Sequence, residues 1–447
     1  MDIEEVRTAA AGMMPEVLAD LGELVRHPSV AFPGFPAAPV LAAAEATAAL
    51  FRRAGVAAQL LDIPGGYPAV WAELPAPPGA PTVLLYAHYD VQPAAEATWT
   101  SDPWALTERG GRWYGRGAAD DKSGIAMHAA ALRLFGGRPP VGVKLVVEGE
   151  EETRSHLDEY VAAHPRRFAA DAMIIADMGN LEVGAPLLTT SLRGAVEVLV
   201  TVRTLDHGLH SGEFGGPAPD AMMALVRILD SLVDARGDVA VPGLLSSEWP
   251  GTQYDAADFR RHAGMLDGVE LIGSHPVASL LWARPTATVL AVDAPAVDKA
   301  SNTLLPEARA KVSVRIPPGQ DPREAARAVE AHVRRVTPWG AHVTVACPHL
   351  SGAFAAPTGG PALAAARRAL EAAYGAPCDE VGTGGSIPLL GVLQRAAPAA
   401  EFLLFGAEDL AEARIHGADE SVDARELERM IVAEALTLQY LAEAAGG

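Results

Sequence analysis

The sequence predicts an α/β protein in which a discontinuous α/β domain with a mainly parallel sheet is interrupted by an inserted, ferredoxin-like α+β domain. Toward both ends of the chain, short β-rich runs alternate with amphipathic helices, which is typical of a parallel sheet covered on both faces. In the middle, the predicted elements follow the order β-α-β-β-α-β. The length of 447 residues also favours two hydrophobic cores.

The first part of the chain alternates helices and strands. Apolar residues at intervals of three and four predict helices over 3–26, 39–54 and 123–135. Short runs rich in β-branched residues predict strands over 70–74, 83–87, 143–147 and 173–176. Because ligands collect beyond the carboxyl ends of such strands, polar residues that follow them are candidates for a functional site.

The pattern changes near residue 190 and returns near residue 355. The middle contains predicted strands over 194–204, 286–292, 308–316 and 342–346, helices over 219–235 and 322–336, and a less regular insertion over 238–283. The last part contains a helix over 361–374, a glycine loop over 382–386, a strand over 401–405 and a helix over 424–445. We therefore predict that 1–188 and 355–447 form one domain and that 189–354 forms the inserted domain.

Composition argues against several classes of partner. The formal net charge of −21 argues against nucleic acid or an anionic membrane. Cys347 and Cys378 are the only cysteines and lack a metal-binding spacing, so we expect neither a disulfide framework nor a thiolate zinc site. No window has the roughly 18 apolar residues of a membrane span, and the start, MDIEEVRTAA, lacks the basic segment of a secretory leader. We expect a soluble, cytoplasmic protein.

Histidines and acids follow the predicted strands and one glycine-rich turn. They are His88, Asp90, Asp120, the run Glu150 to Glu152, Asp177 and His416. Imidazole and carboxylate ligands without thiolate suit zinc, manganese or cobalt. The set exceeds the needs of one tetrahedral ion, which favours two ions bridged by a carboxylate and a water. A glutamate that is not a ligand, supplied by the triple glutamate, would accept the proton of that water.

Each feature also has an ordinary structural explanation. His88 and Asp90 share one face of an extended segment, so Asp90 is better placed to orient the imidazole than to bind metal, and such pairs are common. An aspartate at the start of a helix is often an N-cap. A glutamate run is often a solvated loop, and an aspartate after a strand, as at Asp177, is often a turn former. Their joint occurrence at strand ends favours the dimetal hypothesis.

Seven segments carry a family resemblance. In chain order they are AHYDVQPAAEATWTSDPW, RWYGRGAADDKSG, VVEGEEETRS, LHSGEFGG, EARAKVSVRIPPG, GTGGSIP and IHGADES. Together they resemble the co-catalytic dimetal metallopeptidases that include carnosinase-like cytosolic dipeptidases, carboxypeptidase G and aminoacylase. The resemblance covers nearly the whole chain and identifies the discontinuous domain as catalytic and the inserted one as a lid and dimerisation domain.

The resemblance implies a role for each residue of the cluster. The implied metal ligands are His88 and Asp177 on one ion, Glu152 and His416 on the other, and Asp120 between them, next to a cis peptide bond with Asp121. Glu151 matches the general base, and Asp90 matches the residue that orients His88. Two divalent ions are implied, with zinc preferred and manganese or cobalt as alternatives.

The lid supplies the remaining predicted site residues. His210 matches a histidine that reaches the partner's active site in dimeric relatives and stabilises the oxyanion, so we expect a homodimer through the lid, with Thr303 also contributing across it. Arg315 alternates with apolar strand residues, points away from the lid core and could bind a substrate carboxylate. Gly385 and Ser386 match a loop near the substrate's C-terminal end. Without the resemblance, His210 would be a turn histidine and Arg315 a surface residue.

Two departures and one position bear on the function. Arg154 stands where the family pattern usually has glycine, and the extra Glu150 leaves the register of base and ligand open. Asp177 stands where relatives acting on peptides with a free amino terminus tend to carry aspartate. This favours a dipeptidase acting on short peptides with a free C-terminal carboxylate. The alternatives are an N-acyl-amino-acid amidohydrolase and a non-catalytic metal-binding dimer, against which the intact Glu151 speaks.

Overall fold

Two main sheets of different type organise the chain. In the computed structural model, which describes residues 1–445 and every side chain among them except that of Glu96, a nine-stranded sheet with a parallel centre is accompanied by a four-stranded antiparallel sheet. We call them the large sheet and the small sheet. The mixed α/β fold with an inserted ferredoxin-like unit is therefore confirmed.

The helices and strands have the following bounds. The helices are Ile3–Val25, Ala37–Arg53, Lys122–Leu134, Leu157–Ala163, Pro165–Phe168, Ser211–Phe214, Ala221–Asp230, Ala256–His262, Pro322–Val336, Pro361–Tyr374, Pro388–Ala396 and Ala424–Ala445. The large-sheet strands are Gln59–Leu61, Ala69–Leu74, Thr82–His88, Gly142–Glu148, Ala172–Ile175, Leu187–Leu192, Phe354–Ala355, Asp379–Thr383 and Glu401–Leu404. The small-sheet strands are Gly194–Arg203, Thr286–Asp293, Glu307–Ile316 and His342–Ser351.

The centre of the large sheet is parallel. Thr82–His88 pairs in parallel with Gly142–Glu148 on one side and with Ala172–Ile175 on the other, and the latter pairs in parallel with Glu401–Leu404. Both faces of these strands are buried, which explains their nearly continuous apolar sequence. Toward the edges the sheet becomes mixed, since Ala69–Leu74 runs antiparallel to Gly142–Glu148. The expected parallel character holds for the four central strands, whose carboxyl ends meet at one edge.

The small sheet has the ferredoxin-like arrangement. Its strand order is Thr286–Asp293, Glu307–Ile316, Gly194–Arg203, His342–Ser351, with all neighbours antiparallel. Helices Ala221–Asp230 and Pro322–Val336 contribute to a common core with the alternate valines of these strands. Aspartate side chains at Asp220 and Asp321 cap the two helices, as expected for Asp before a helix. The opposite face carries Arg315.

Several sequence-based boundaries differ from the structure. The helix predicted over 219–235 ends at Asp230, because the chain then turns back to form a bridge between Val233 and Val239. The strand predicted over 342–346 continues to Ser351. Strand Leu187–Leu192 and helix Pro388–Ala396 were not predicted.

The domain borders at 188/189 and 354/355 stay predictions. Leu187–Leu192 and Phe354–Ala355, which flank the inserted segment, pair with each other in the large sheet. Residues 446–447 of the predicted last segment lie outside the described part of the chain. Within residues 1–445, no helix has both the length and the apolar character needed to cross a membrane.

Candidate dimetal centre and substrate cleft

The four central strands deliver the candidate residues to one edge of the large sheet. His88 is the last residue of Thr82–His88, and Asp177 comes two residues after Ala172–Ile175. Glu151 and Glu152 follow Gly142–Glu148. The carboxyl ends of parallel strands lie side by side, so residues far apart in sequence meet here, as the sequence predicted.

Asp120 lies between two histidines. Its Oδ1 is 2.8 Å from Nε2 of His88, and its Oδ2 is 3.0 Å from Nε2 of His416. Oε2 of Glu152 is 3.2 Å from the same nitrogen of His416. A carboxylate that turns one oxygen toward each of two ligand groups has the arrangement needed to bridge two ions.

Two groups of side chains could each hold a metal ion. One contains His88, Asp120 and Asp177, and the other contains Asp120, Glu152 and His416. Within each group, one ligand atom per residue lies within 4.8 Å of the others. The five predicted ligands are therefore brought together in the two predicted sets, with Asp120 common to both.

The charge of the cluster fits divalent cations. Among the salt bridges of residues 1–445, Asp120 and Glu152 pair only with histidines, and Glu151 and Asp177 have no cationic partner within 4.0 Å. His88 Nε2 is buried and lacks a hydrogen bond of good geometry. Converging buried carboxylates without Lys or Arg are costly unless cations compensate them, so this donor set suits metal ions.

The pKa shifts reflect the same excess of carboxylates over cationic side chains. Burial raises the pKa of Glu151 well above its ordinary value, and Glu152 and Asp120 add to this effect although His88 opposes it. Burial also acts to raise the pKa of Asp120, but hydrogen bonds with His416 and His88 bring it well below its usual range. The same carboxylates, Asp120 first and then Glu152, raise the pKa of His416 to about 10. The two histidines of the cluster, His88 and His416, thus both lie next to Asp120.

Asp90 contacts His88 and also holds the glutamate loop. Nδ1 of His88 lies 3.1 Å from the backbone oxygen of Asp90 and 3.5 Å from its Oδ1. The carboxylate of Asp90 accepts the backbone N–H groups of Glu151 and Glu152, each at 3.1 Å. Asp90 thus fixes the imidazole mainly through its main chain and the predicted base through its side chain.

Glu150 faces away from the cluster. Its Oε2 lies 2.9 Å from Nδ1 of His156, and it belongs to neither candidate ligand group. Glu151, in contrast, lines the cleft next to Asp120. This geometry favours Glu151 as base and Glu152 as ligand, and both roles stay predictions.

Two further features of this loop were open or unforeseen. Arg154, the departure from the family pattern, has an exposed side chain 3.6 Å from Glu159 and does not enter the cleft lining. Gln92, which we did not select from the sequence, donates from Nε2 to Glu152 Oε2 at 2.7 Å. Gln92 therefore holds a predicted ligand in place.

A buried ion pair ties the Asp120 turn to the His416 loop. Arg116 Nη1 lies 2.5 Å from Glu420, whose carboxylate also accepts backbone N–H groups from Gly117, Ala119 and Asp120. Arg116 Nη2 donates to the carbonyl oxygens of His416 and Gly417 at 3.2 and 3.0 Å. Sequence reasoning missed this pair, although both residues lie inside the recognised segments RWYGRGAADDKSG and IHGADES.

The acidic pair is not a simple helix cap. The residue at the N-cap of Lys122–Leu134 is Asp121, and its side chain makes no capping hydrogen bond. It accepts instead from the backbone N–H of His88 at 3.2 Å. The peptide bond between Asp120 and Asp121 is cis, as the resemblance implied.

Glu408 is an additional acid at the cluster. It follows strand Glu401–Leu404, lines the cleft, and its Oε1 is buried without a hydrogen-bond partner among the described residues. Burial, with Asp120, raises the pKa of Glu408 well above its ordinary value, and the same two causes raise that of Asp177. The sequence signal was an acidic pair, Glu408 and Asp409, a few residues after a short strand.

A cleft of about 720 Å³ joins the cluster to Arg315 of the small sheet. Ser386 and Gly385 line it, and Arg315 Nη1 donates to Ser386 Oγ at 3.4 Å. None of the Asp and Glu side chains that the structure describes forms an ion pair with Arg315, so its positive charge faces the cleft without a counterion from this set.

Arg193 strengthens this positive region and was not predicted. It is buried between the two sheets, where burial and Arg315 lower its pKa to about 10, so it still carries a charge at neutral pH. Its Nη1 donates to the carbonyl of Leu280 at 3.4 Å and to Thr286 at 3.3 Å. The sequence signal was a single arginine between two apolar strands.

His210 and Thr303 lie together but outside the cleft. They pair directly in a two-stranded sheet, both are exposed, and neither lines the cleft. His210 Nδ1 accepts the N–H of Gly212 at 3.1 Å, which is also what an ordinary turn histidine would do. Within one chain, then, these two predicted residues are not part of the site.

Fold and cluster together define a metal-dependent hydrolase of the α/β class. The model of peptidase family M20/M25/M40 matches residues 84–440. A cysteinylglycine-S-conjugate dipeptidase from Corynebacterium striatum is 46% identical over 365 residues, covering 80% of both chains. A Beta-Ala-His dipeptidase from Rattus norvegicus is 31% identical, covering 73% of this chain and 70% of the relative.

A solved structure gives the same answer for the fold. The dipeptidase Dug1p from Saccharomyces cerevisiae superposes with a TM-score of 0.85 at 23% identity and covers 99% of both chains. The chain belongs to peptidase family M20/M25/M40, and it is a metallopeptidase. The family resemblance inferred from the seven segments is thereby confirmed.

Proposed function

We propose that this metallopeptidase hydrolyses the amide bond of dipeptides that have a free amino terminus and a free C-terminal carboxylate. One observation carries the proposal: a single cleft contains the half-buried Asp177 and the buried Glu408 together with the guanidinium of Arg315, which forms no ion pair with a described acid. A zwitterionic dipeptide presents an ammonium group and a carboxylate at its two ends. Its charges complement the two charged parts of the cleft.

Two divalent ions would occupy the cluster. His88 and Asp177 would hold one, Glu152 and His416 the other, and Asp120 would bridge them, which is supported by the two ligand groups that share Asp120. We propose zinc, with manganese and cobalt as alternatives that the same oxygen and nitrogen ligands accept. When bound, such ions would supply Lewis acidity, lowering the pKa of water and polarising the scissile carbonyl.

Glu151 would move the proton. Its carboxylate would take a proton from the attacking water and then donate that proton to the nitrogen of the departing amine. Its half-buried position in the cleft with Asp120 and the hydrogen bond from its backbone N–H to Asp90 support this role, since both restrict its orientation. Asp90 would act as a positioning residue for His88 and for this loop.

Arg315 would bind the substrate carboxylate, and Ser386 and Gly385 would lie beside it. The guanidinium has no acidic partner among the described side chains, so a substrate carboxylate would not have to displace one of them. At the other end, Asp177 and Glu408 would face the ammonium group. An N-acyl amino acid would use Arg315 equally well, but it would leave Glu408, which belongs to neither candidate ligand group, without a cationic partner.

The relatives support the same substrate class. The two curated relatives described above are both named as dipeptidases, one for cysteinylglycine S-conjugates and one for Beta-Ala-His. We extend to this chain only what the two names share, hydrolysis of a dipeptide. We also propose a cytoplasmic location, supported by the two cysteines, Cys347 and Cys378, which are both free.

We further propose a homodimer through the lid, in which His210 and Thr303 complete the partner's site. Strand Thr286–Asp293 lies at an edge of the small sheet and exposes Val289, Leu290 and Val292 by 40 to 52%. An exposed apolar edge strand favours pairing with another chain. The exposed position of His210 outside its own cleft supports a role in the partner's cleft.

A paired substrate screen tests the proposed function. The protein is treated with a chelator, reloaded with zinc, manganese or cobalt, and assayed on alanylglycine and on N-acetylalanylglycine. We expect no activity in the chelated protein, restored cleavage of the free dipeptide, and at least tenfold slower cleavage of the acetylated one, because acetylation removes the ammonium group. Preference for the acetylated compound would favour the amidohydrolase alternative, and full activity without metal would contradict the dimetal centre.

A further inference from the structure

The insertion over 238–283 contributes an aromatic surface to the same cleft. Tyr254, Phe259 and Trp282 of the insertion line it, with Leu281 beside them and Leu181 following Asp177. We call these five residues the aromatic wall. None of them has a role in the proposed metal binding, proton transfer or carboxylate binding. The wall therefore requires a separate explanation.

The rings of the wall pack against one another. Tyr254 and Phe259 meet edge to face with centroids 5.6 Å apart, and Tyr254 stacks near Trp282 at 6.3 Å. Tyr254 and Trp282 are 5% and 4% exposed, whereas Phe259 and Leu281 are only half-buried. The first two therefore form a base, and the second two present free apolar surface to the cleft.

The wall is anchored to both sides of the site. The Tyr254 hydroxyl forms a hydrogen bond with Nδ1 of His262 at 2.6 Å, so this polar group of the wall has a partner. Trp282 packs so closely on Gly382 that a Cβ there would lie 2.6 Å from that of Trp282. Arg261 lies 3.7 Å from Glu182. The helix Ala256–His262, which carries Phe259, is thus tied to the loop that follows Asp177.

We infer that the wall binds a bulky apolar side chain on the first residue of the dipeptide. This inference rests on the proposed function and specifies its substrates. Leu181 comes four residues after Asp177, which we place at the ammonium end, so the wall adjoins the first residue. At the carboxylate end the cleft lining includes the polar side chains of Arg315, Ser386 and His349. A cleft of about 720 Å³ is within the roughly 300–1,000 Å³ typical of drug-sized ligands and leaves room for such a side chain.

Three dipeptides and a wall variant test the inference. Phenylalanylglycine, glycylphenylalanine and alanylglycine are compared by kcat/KM in the metal-loaded parent, in Phe259→Ala and in Phe35→Ala. Phe35 is 46% exposed and does not line the cleft, so its variant controls for loss of an exposed aromatic ring. We expect the parent and Phe35→Ala to prefer phenylalanylglycine over the other two.

Phe259→Ala should lower the ratio of phenylalanylglycine to alanylglycine by about tenfold, since an aromatic contact and its buried area are lost. The rate on alanylglycine should stay within about twofold of the parent. If Phe259→Ala does not fold, as judged by its thermal melting, Phe259→Leu carries the test with a smaller fall in the ratio.

The outcomes separate the two proposals. A parent that cleaves none of the three dipeptides contradicts the proposed function itself. A parent that cleaves them, but whose ratio is unchanged in the Phe259 variant, overturns the wall alone. A loss confined to glycylphenylalanine, or an equal loss on all three, also overturns the inference, because the wall would then contact the second residue or act only structurally.

Discussion

Two regions of the molecule differ in what one chain assembles. The edge of the large sheet at the carboxyl ends of its central strands, which we call the edge, carries the candidate metal ligands as one cluster. The segment with His210 and Thr303, which we call the tip of the lid, does not reach the cleft of its own chain. At the edge, His88 and Asp120 are buried, and Asp120 is already within 3.0 Å of two histidine nitrogens. At the tip, His210 and Thr303 contact each other, are exposed and lie outside the cleft lining. One predicted half of the site is assembled by the fold, and the other is not.

The difference follows from how each region is supported. The edge residues follow strands that are buried on both faces, and a buried ion pair between Arg116 and Glu420 fixes the loops around them. His210 and Thr303 lie on a short ladder of two residue pairs, outside the hydrophobic core of the small sheet. The candidate cluster is therefore assembled by one chain, whereas the proposed contribution of His210 and Thr303 would require a second chain.

The largest expected effect concerns the edge. Glu151→Gln keeps the side-chain volume but removes the base, so kcat should fall by roughly 10²- to 10⁴-fold while metal content stays near that of the parent. Steady-state kinetics and elemental analysis of the same preparation measure both. Retained activity would mean that Glu151 is not the base.

Glu150→Gln is the matched control. Glu150 is the neighbouring glutamate, but it lies 2.9 Å from His156 and belongs to neither candidate ligand group. Its variant should keep activity within about threefold. If instead Glu150→Gln is the inactive variant, or Glu151→Gln loses a metal ion, the register of base and ligand is shifted by one residue.

The edge was also the part that the sequence could predict. His88 and Asp177 follow short apolar strands, and parallel strands bring their ends together whatever their separation in sequence. The bridging role of Asp120 came from the resemblance, because one acid at a helix start is by itself usually a cap. Glu408 escaped notice because it and Asp409 form only a short acidic pair after a short strand, and its relevance comes from burial beside Asp120, which the sequence does not reveal.

The side of the cleft away from the metals was less predictable. Arg315 was found by strand alternation, but Arg193 lies at a junction between two sheets where no periodicity applies. Tyr254, Phe259 and Trp282 lie in an insertion for which the sequence predicts no regular elements, and only packing brings them into one wall. Contacts among irregular segments depend on tertiary structure, so the sequence gives no spacing from which to infer them.

A smaller effect tests the lid side of the cleft within the same chain. Arg315→Ala should raise KM for a dipeptide by roughly 10- to 100-fold and change that for its C-terminal amide little, because the charged hydrogen bond exists only with the carboxylate. Initial-rate kinetics on alanylglycine and alanylglycinamide measure the contrast.

Lys311→Ala is the control for this substitution. Lys311 lies on the same strand face, but its Nζ is 2.9 Å from Glu197, so its charge already has a partner. We expect its KM values to remain within about twofold of the parent on both substrates. An equal increase for acid and amide in Arg315→Ala would assign Arg315 a structural role.

The smallest effect asks directly whether the lid tip completes a neighbouring site. Suppose that His210→Ala and Glu151→Gln are each nearly inactive and are mixed under conditions that allow subunit exchange. One site of a mixed dimer then combines an intact Glu151 with an intact His210, and the other site carries both defects. Random exchange makes about half of the dimers mixed, so activity should recover to roughly a quarter of the parent's.

The control for this mixture uses two defects at the edge. Asp120→Asn mixed with Glu151→Gln should show no recovery, because Asp120 and Glu151 line the cleft of one chain and no exchange can bring both intact residues into one site. Mass or fluorescence measurements must prove exchange in both mixtures. If exchange occurs and the His210 mixture also fails to recover, His210 acts within its own chain or not at all. His210 would then be an ordinary turn histidine, whose Nδ1 accepts a hydrogen bond from the backbone N–H of Gly212, and the tip of the lid would have no part in the site.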